Sequence, residues 1–250
     1  TTLFRSGTSL VTRQPVQQRI GDRLPNTVLL MTSAYLVILP VSFALGVFSA
    51  LRRYTLADTV LTTLAFVVYS TPIFLSGLGL IMIFSVTFRK LGLPYLPIAG
   101  MGPPGGDRTL LTLLPYMVLP VMSLAFIYIA AYMRYVRASV LEVMNQDYVR
   151  TARAKGVSER RILLVHILKN AALPLITIVG LDLPFLVGGA IVTESIFAWP
   201  GMGMLFIESL DRADYPVLMG ILMLIAILVV ISQLVTDLLY SVLDPRVRLS

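Results

Sequence analysis

The chain has 250 residues, of which 57% are hydrophobic and 13% are charged, and its mean hydropathy is +0.86. An ordinary soluble domain carries about 25% charged residues, so this composition excludes a soluble globular protein and indicates an integral membrane protein. No cysteine is present, which excludes disulfides and cysteine-ligated metal sites in this chain. The formal charge is +7, but the basic residues mostly flank apolar stretches, so we expect membrane lipid and not nucleic acid as a partner.

The first six residues, Thr-Thr-Leu-Phe-Arg-Ser, read like the translation of a common sequencing-adapter end. We interpret residues 1–6 as non-native and exclude them from reasoning about the fold. The remaining residues, 7–250, are expected to form a single transmembrane domain, which begins with a polar lead-in over residues 7–25.

Five stretches are long and apolar enough to cross ~30 Å of hydrocarbon, which takes about 20 residues. Each is continuously apolar rather than alternating, so we predict helices and not barrel strands. The stretches lie near residues 27–51, 59–88, 111–133, 173–197 and 217–243. The second is longer than a straight crossing needs, and Pro72 predicts a bend or a tilt in it. The predicted fold is therefore all-α, a polytopic transmembrane helix bundle.

A basic insert at about residues 134–172 separates the third and fourth spans. If this insert, the Arg52-Arg53 turn and the C-terminus share one side of the membrane, that side carries 12 of the 20 Lys and Arg residues. By the positive-inside rule, the insert and the C-terminus are cytoplasmic. Five spans would then leave the N-terminus outside, so we expect a first span to be missing from this chain.

The insert is expected to contain a sharp corner between two helices. Asn145 is predicted to cap a short helix from about Gln146 to Lys155, and Gly156 is predicted to end it in a left-handed conformation. Ser158 and Glu159 then begin a helix that runs toward the membrane. A short helix held on such supports can transmit a rigid-body push.

The segment from Tyr148 to Pro174 resembles the cytoplasmic loop of permease subunits in binding-protein-dependent ABC importers. That loop has the pattern Glu-Ala-Ala, three residues, Gly, then nine residues and Ile-x-Leu-Pro. Gly156 is the Gly of this pattern, Arg150-Thr151-Ala152 stands in place of Glu-Ala-Ala, and Lys169 stands in place of the Pro. With these departures, the segment resembles the dipeptide, oligopeptide and nickel branch of the family. The likeness continues in four further segments: Phe197-Ala198-Trp199-Pro200-Gly201-Met202-Gly203, Asp214-Tyr215-Pro216, Asp237-Leu238-Leu239-Tyr240 and Leu243-Asp244-Pro245-Arg246-Val247-Arg248.

The resemblance implies a permease domain in a bacterial or archaeal cytoplasmic membrane that forms the path for peptides or related small solutes. Its implied partners are a second homologous permease subunit, two cytoplasmic ATPase subunits and an extracytoplasmic solute-binding protein. Which solute it moves, and whether the permease pair is a homodimer or a heterodimer, remain open. No phosphate-binding motif is present, so ATP hydrolysis is expected on a separate subunit and no cofactor is expected on this chain.

The same resemblance implies roles for two groups of residues. The residues expected to dock on the ATPase are Arg150, Thr151, Ala152, Arg153, Lys155 and Gly156. The alternative for the cations is that they only hold the insert inside the cell. Trp199, Pro200 and Gly201 are expected on the side of the outer gate or the binding protein, with Trp199 as an anchor at the outer membrane interface. Glu194, near the end of a span, is assigned a structural role.

Asp182 lies within the fourth span, where a charge costs about 2.5 to 3.5 kcal/mol on insertion scales. It is either a residue of the substrate path, favouring a cationic or amine-bearing solute, or a buried group bonded to a neighbouring helix. A competing class is an intramembrane enzyme with Asp182 and Asp237 as an aspartyl pair, although no catalytic motif accompanies them. A passive channel is the third possibility. The single histidine, His166, has no second ligand at suitable spacing, so no metal site is expected.

Overall fold

The computed structural model describes residues 7–103, 105, 109–182 and 190–243, and the side chains of residues 110, 237 and 239–243 are not described. Three sequence interpretations therefore lie outside the described residues. They are the non-native origin of residues 1–6, the motif that follows Leu243, and the side chain of Asp237 in the enzyme hypothesis. Within the described ranges, five helices are long and apolar enough to cross a membrane.

Nine helices make up the secondary structure of the described ranges. In chain order they are α1 (Val16–Leu51), α2 (Leu56–Ser70), α3 (Ile73–Lys90), α4 (Leu110–Met144), α5 (Asp147–Ala154), α6 (Glu159–Asp182), α7 (Ile191–Ile196), α8 (Met202–Asp211) and α9 (Tyr215–Leu243). Two of them contain π-helical turns, at Ile81–Thr87 in α3 and at Ile162–Ile167 in α6. The predicted all-α architecture is confirmed.

The bend predicted at Pro72 is a complete break between α2 and α3. Pro72 has an extended backbone, with φ −57° and ψ 137°, and its carbonyl accepts hydrogen bonds from the N–H groups of Leu75 and Ser76. Proline lacks an N–H group and disfavours a helical residue before it, so the preceding helix ends at Ser70. The predicted span at 59–88 is thus two helices, of which α3 is long enough to cross a membrane.

The fourth span begins earlier than the sequence indicates. The polar residues Lys169 and Asn170 led the sequence analysis to place this stretch in the insert. In the structure, α6 continues through both residues from Glu159 to Asp182 and is apolar enough to cross a membrane. The side chain of Asn170 donates a hydrogen bond to the carbonyl of His166, so its amide is satisfied within the helix. After the gap at 183–189, the chain continues with the short helix α7 and not with the end of a long span. On the other side of the insert, residues 134–144 are the last turns of α4.

The chain divides into two compact units. The first contains the described parts of Thr1–Tyr35, Thr71–Ala125 and Leu183–Ile231, and the second contains those of Leu36–Ser70, Phe126–Asp182 and Ser232–Ser250. Two apolar clusters form the core of the first unit: one consists of Val16, Met202, Leu205, Val217 and Ile221, and the other of Leu80, Leu119 and Phe197. The second unit has a cluster of Ala65, Ala130 and Met133.

Small residues set the helix spacing in the second unit. A Cβ atom at Gly46 of α1 would lie 2.7 Å from the Cβ of Val136 and 2.8 Å from the carbonyl oxygen of Met133, both in α4. A Cβ atom at Gly180 of α6 would lie 2.0 Å from the hydroxyl oxygen of Thr236 in α9. Because a membrane offers no hydrophobic drive for helices to associate, such close backbone approach is the source of their packing energy.

Replacement of Gly46 by alanine is expected to destabilise the second unit by about 1 to 3 kcal/mol, because the added methyl group meets the backbone of α4. The measurement is the thermal unfolding of the detergent-purified protein. Gly79→Ala is the matched control, since a Cβ atom at Gly79 has no neighbour within 4 Å. Equal unfolding temperatures for the two variants would contradict the close packing of α1 on α4.

Candidate functional site

The segment of residues 147–161 is referred to below as the coupling corner; it consists of α5, the exposed turn at residues 155–158 and the first residues of α6. Gly156 has φ +73°, in the left-handed region, as the sequence predicts. Its N–H group donates to the carbonyl of Arg153 at 3.0 Å, and the N–H group of Val157 donates to the carbonyl of Ala152 at 3.2 Å. This pair of bonds is a Schellman motif, which closes the C-terminus of α5 and requires a residue that tolerates positive φ.

The start of α5 differs from the sequence prediction. The residue before the helix is Gln146, whose side chain makes no capping hydrogen bond. Asn145, predicted as the cap, instead donates from its side chain to the carbonyl of Leu141 in α4. The prediction is wrong because α4 runs to Met144, so Asn145 lies against the helix that it follows rather than the one that it precedes.

The two faces of α5 differ in burial. Val149 and Ala152 face the interior of the second unit, with 0% and 8% of their surface exposed. The remaining residues expected to dock are all exposed, namely Arg150, Thr151, Arg153, Lys155 and Gly156. The expectation for Ala152 is corrected, because its side chain packs inside the chain and is not presented to a partner.

Ion pairs brace the coupling corner. The guanidinium of Arg153 in α5 contacts the carboxylate of Glu159 in α6, with Nε to Oε1 at 2.8 Å and a second nitrogen to Oε2 at 3.3 Å. Arg150 lies 4.0 Å from Asp147 in the same helix, and both side chains are largely exposed. Exposed pairs add little stability, so we assign the Arg153–Glu159 pair to the angle of the turn and not to the stability of the fold.

A buried carboxylate in the second unit joins α1, α2 and α4. Asp58, in the first turn of α2 and outside the five apolar spans, is 4% exposed. Arg137 of α4 donates to both of its oxygens at 2.8 Å, the N–H group of Tyr54 donates at 3.0 Å, and Ser49 donates a further hydrogen bond. The Arg137 guanidinium holds the pKa of Asp58 well below its usual range.

A hydrogen bond also joins α4 to α6. The Ser139 hydroxyl of α4 donates to the Ala171 carbonyl of α6 at 3.0 Å.

Asp182 is bonded to the neighbouring helix α4. The hydroxyl of Tyr132 donates to Oδ2 of Asp182, and the Tyr132 side chain is buried. The sequence left two alternatives for Asp182, and the bond to a neighbouring helix is one of them. A role in the substrate path stays a prediction.

The motif at residues 197–203, called the outer motif below because it is expected on the outer side, places Trp199 inside the first unit. Its side chain is fully buried, and its indole Nε1 donates to the carbonyl of Asn26 at 2.9 Å. The side chain of Asn26 returns a hydrogen bond to the Pro200 carbonyl at 2.8 Å. The interpretation of Trp199 as an anchor at the membrane interface is therefore wrong, since the turn folds its ring against α1.

Buried side chains from two other helices cap the N-terminus of α8. Oε2 of Glu194 in α7 accepts the N–H groups of Gly203 and Met204 at 2.7 and 3.1 Å. The hydroxyl of Thr27 in α1 accepts the N–H group of Met202 at 2.7 Å and donates to Oε1 of Glu194 at 2.7 Å. The first N–H groups of a helix have no partner within it and favour a negative charge. The structural role assigned to Glu194 is confirmed.

The glycines of the outer motif make room for this cap. A Cβ atom at Gly201 would lie 2.4 Å from the Glu194 carboxylate, and one at Gly203 would lie 2.6 Å from Cα of Ile191. Gly201, predicted near the outer gate, thus has a packing reason to be glycine. The sequence signal that could have found this is a carboxylate seven residues before a Gly-Met-Gly helix start.

The Asp214-Tyr215-Pro216 motif has a buried ionic centre. The Asp214 side chain is buried and accepts hydrogen bonds from the Ser9 hydroxyl, the Leu10 N–H group at 3.0 Å and Arg19 at 3.0 Å. These bonds tie the polar lead-in to the first turn of α9. Within the described ranges, no group of three His, Cys, Asp or Glu side chains could hold a metal ion. The expectation that this chain binds no cofactor stays a prediction.

Comparison with known proteins gives consistent matches. A family model described as "Binding-protein-dependent transport system inner membrane component" matches residues 42–249. The chain is 43% identical to the oligopeptide transport system permease protein AppB of Bacillus subtilis, covering 97% of this chain and 75% of that protein. It is 38% identical to the dipeptide transport system permease protein DppB of Escherichia coli K12, covering 97% and 76%. A chain of the inward-facing MetNI methionine ABC transporter shares the fold, with a TM-score of 0.64 and 18% identity over 92% of this chain and 98% of that one.

Replacement of Asp58 by asparagine is expected to destabilise the protein by about 3 kcal/mol, because Arg137 loses its counter-ion. This is the lower end of the range for buried pairs, since 24% of the Arg137 side chain remains exposed. The replacement should also change the response to acid. The folded pKa of Asp58 is depressed, so its contribution is fully present above the unfolded pKa of about 4 and is lost as pH falls toward the folded value.

The measurement is the unfolding temperature of purified protein as a function of pH. Wild type should lose stability on acidification below about pH 4, and Asp58→Asn should lose less over the same range. Asp147→Asn serves as the control, because 99% of the Asp147 side chain is exposed. An unchanged acid response in Asp58→Asn would show that this ion pair does not stabilise the fold.

Proposed function

Because the chain belongs to the family of inner membrane components of binding-protein-dependent transport systems, we propose that it moves peptides and receives its driving force at the coupling corner. It is a membrane-spanning permease subunit of an ABC importer, a transporter subunit and not an enzyme. A second permease subunit, cytoplasmic ATPase subunits and an extracytoplasmic solute-binding protein complete the importer. The protein is multi-pass in the cytoplasmic membrane, and we place the coupling corner and the C-terminus on its cytoplasmic side.

Peptides are the proposed solutes. Relatives that are 38 to 43% identical are named as permeases for oligopeptides, dipeptides, and dipeptides and tripeptides. The buried polar contacts of the first unit involve residues 194–216, which include the two outer motifs of this branch. Nickel chelates and related small solutes remain the alternative within the branch.

The exposed face of α5 is the proposed docking surface for the ATPase. The observation that carries this proposal is the burial difference around the Gly156 turn. Two apolar residues fix the helix to the second unit, while Arg150, Thr151, Arg153, Lys155 and Gly156 face solvent. A helix that only retained the insert inside the cell would need positive charge but no defined turn.

Contacts inside the second unit support a rigid transfer of motion from the coupling corner. Val149 and Ala152 pack α5 inward, Ser139 bonds α4 to α6, and Arg137 bonds α4 to Asp58 of α2. Closure of two ATP-bound ATPases would therefore move the corner together with the cytoplasmic ends of these helices. In this scheme the path opens toward a loaded binding protein, and hydrolysis resets it. A passive channel would conduct solute without the ATPase.

Replacement of Gly156 by valine is expected to lower ATP-driven peptide uptake by about tenfold, because a β-branched residue with φ +73° costs 1 to 2 kcal/mol or more and opens the turn. The measurement is uptake and binding-protein-stimulated ATP hydrolysis by the complete importer in proteoliposomes. Gly156→Asn is the matched variant, since asparagine tolerates positive φ and should retain most of the activity.

Two results would separate coupling from assembly. The valine variant should still insert and co-purify with the second permease, because a Cβ atom at this position meets nothing within 4 Å. Normal uptake in that variant would contradict the docking proposal. Equal loss in the valine and asparagine variants would show that the left-handed backbone is not the requirement.

A further inference from the structure

We propose that Asp182, together with Tyr132 and Tyr128, binds the N-terminal ammonium group of the transported peptide. This inference rests on the proposed function, because it assumes that peptides pass through the second unit. It assigns a chemical class to a site that neither the family description nor the names of the relatives mention. Its basis is the charge balance and the aromatic surroundings of one carboxylate.

No cation of this chain neutralises Asp182 within the described ranges. Six ion pairs occur there, and none involves Asp182. The cations of the same helix lie well away along its axis at 1.5 Å per residue, with Lys169 at about 20 Å and Arg160 and Arg161 at about 30 Å. A carboxylate in an apolar span faces a wet interior or a counter-ion, and such residues mark substrate or ion pathways.

The arginines of α4 closest in sequence to Tyr132 are engaged elsewhere. The guanidinium of Arg134 stacks between the rings of Phe66 and Tyr69, at 4.9 and 4.5 Å from their centroids. Arg137 binds both oxygens of Asp58. The structure therefore provides no guanidinium of α4 for Asp182, which leaves the carboxylate open to a cation from outside the described residues.

Asp182 is bonded to one of two tyrosines of α4 whose rings pack on each other. Tyr128 and Tyr132 are one helical turn apart, and their rings meet edge to face with centroids 5.8 Å apart. Tyr132 donates its hydroxyl hydrogen to Oδ2 of Asp182, and Tyr128 packs on the ring of Tyr132. A carboxylate next to aromatic rings is the combination that binds ammonium groups, through charge-assisted hydrogen bonds and cation–π attraction.

The bond to Tyr132 engages only one of the two oxygens of the Asp182 carboxylate. It engages Oδ2, while Oδ1 accepts no hydrogen bond from the described residues, and the Asp182 side chain is only partly buried. A neutral amide could hold α6 to α4 equally well. The negative charge is therefore the feature that requires a function, and an N-terminal ammonium group is the cation that every unblocked peptide carries near neutral pH.

The test is the transport of a dipeptide and its N-acetyl derivative by the complete importer in proteoliposomes, with each solute at a concentration that saturates the binding protein. Wild type should transport the unblocked dipeptide at least about tenfold faster, since the acetylated form lacks the charge-assisted bond. Asp182→Asn should reduce this ratio to about two or less. Tyr132→Phe, which keeps the carboxylate, should retain the preference, and Asp182→Glu should restore most of it.

A second readout tests binding at the carboxylate directly. Dicyclohexylcarbodiimide, which modifies carboxyl groups in apolar surroundings, should label Asp182, and the dipeptide should protect it more strongly than its N-acetyl form. Labelling is located by mass spectrometry, with Asp182→Asn as the blank. This measurement does not depend on whether the binding protein accepts the acetylated peptide.

The outcomes separate this inference from the proposed function. If wild type takes up dipeptides but Asp182→Asn keeps the wild-type preference and the unblocked dipeptide gives no protection, the ammonium site is refuted and peptide transport stands. If Asp182→Asn and Tyr132→Phe both fail to assemble, and labelling of wild type is insensitive to the dipeptide, Asp182 is a structural link between helices. If no peptide stimulates uptake by wild type, the proposed function itself fails.

Discussion

The left-handed backbone of Gly156 is the constraint on which the coupling end of this permease depends. It lets the chain reverse immediately after α5, and it places the N–H groups of Gly156 and Val157 on the last carbonyls of that helix. Without this reversal, Glu159 could not meet Arg153, and the exposed basic face would not have a fixed direction. The docking surface that we propose must be held in one orientation to receive a push, and the conformation of Gly156 sets that orientation.

In the first unit, buried carboxylates fix the direction of the chain at the start of α8 and of α9. Glu194 and Thr27 satisfy the N-terminus of α8, and Gly201 and Gly203 leave space for the carboxylate. Asp214 does the same for the junction of the lead-in and α9. In each case a polar group that is costly to bury is fully bonded, so it fixes a chain direction. The motifs that identify the branch are thus, in this unit, packing devices.

Much of this fold can be predicted from the sequence, because the length of an apolar stretch and the residues of a turn act locally. The number of spans, an interruption of the second one at Pro72 and the left-handed Gly156 follow from the residues themselves, whereas the bounds of the second and fourth spans do not. Errors arose where a distant partner decides the outcome. Tryptophan is typical of an interfacial anchor, but Trp199 is buried and bonds to the carbonyl of Asn26, which lies 173 residues away in sequence.

The contacts that brace the site were also beyond sequence reasoning. Asp58 pairs with Arg137 across 79 residues, and no periodicity of either helix indicates that these two side chains meet. Ala152 matches the docking pattern by position, yet the register of α5 turns it toward the chain's own interior. The sequence pattern locates the coupling corner, but the structure is needed to tell which of its side chains are exposed.

The most direct test of the account is site-specific crosslinking from α5 in intact cells, which this chain suits because it has no cysteine. Lys155→Cys lies at the exposed position directly after α5, and Ala152→Cys lies on the buried face of α5. The account predicts that cysteine at position 155 captures a nucleotide-hydrolysing subunit and that cysteine at position 152 does not. Capture from neither position, or equal capture from both, would contradict the central claim that this face of the coupling corner binds the ATPase.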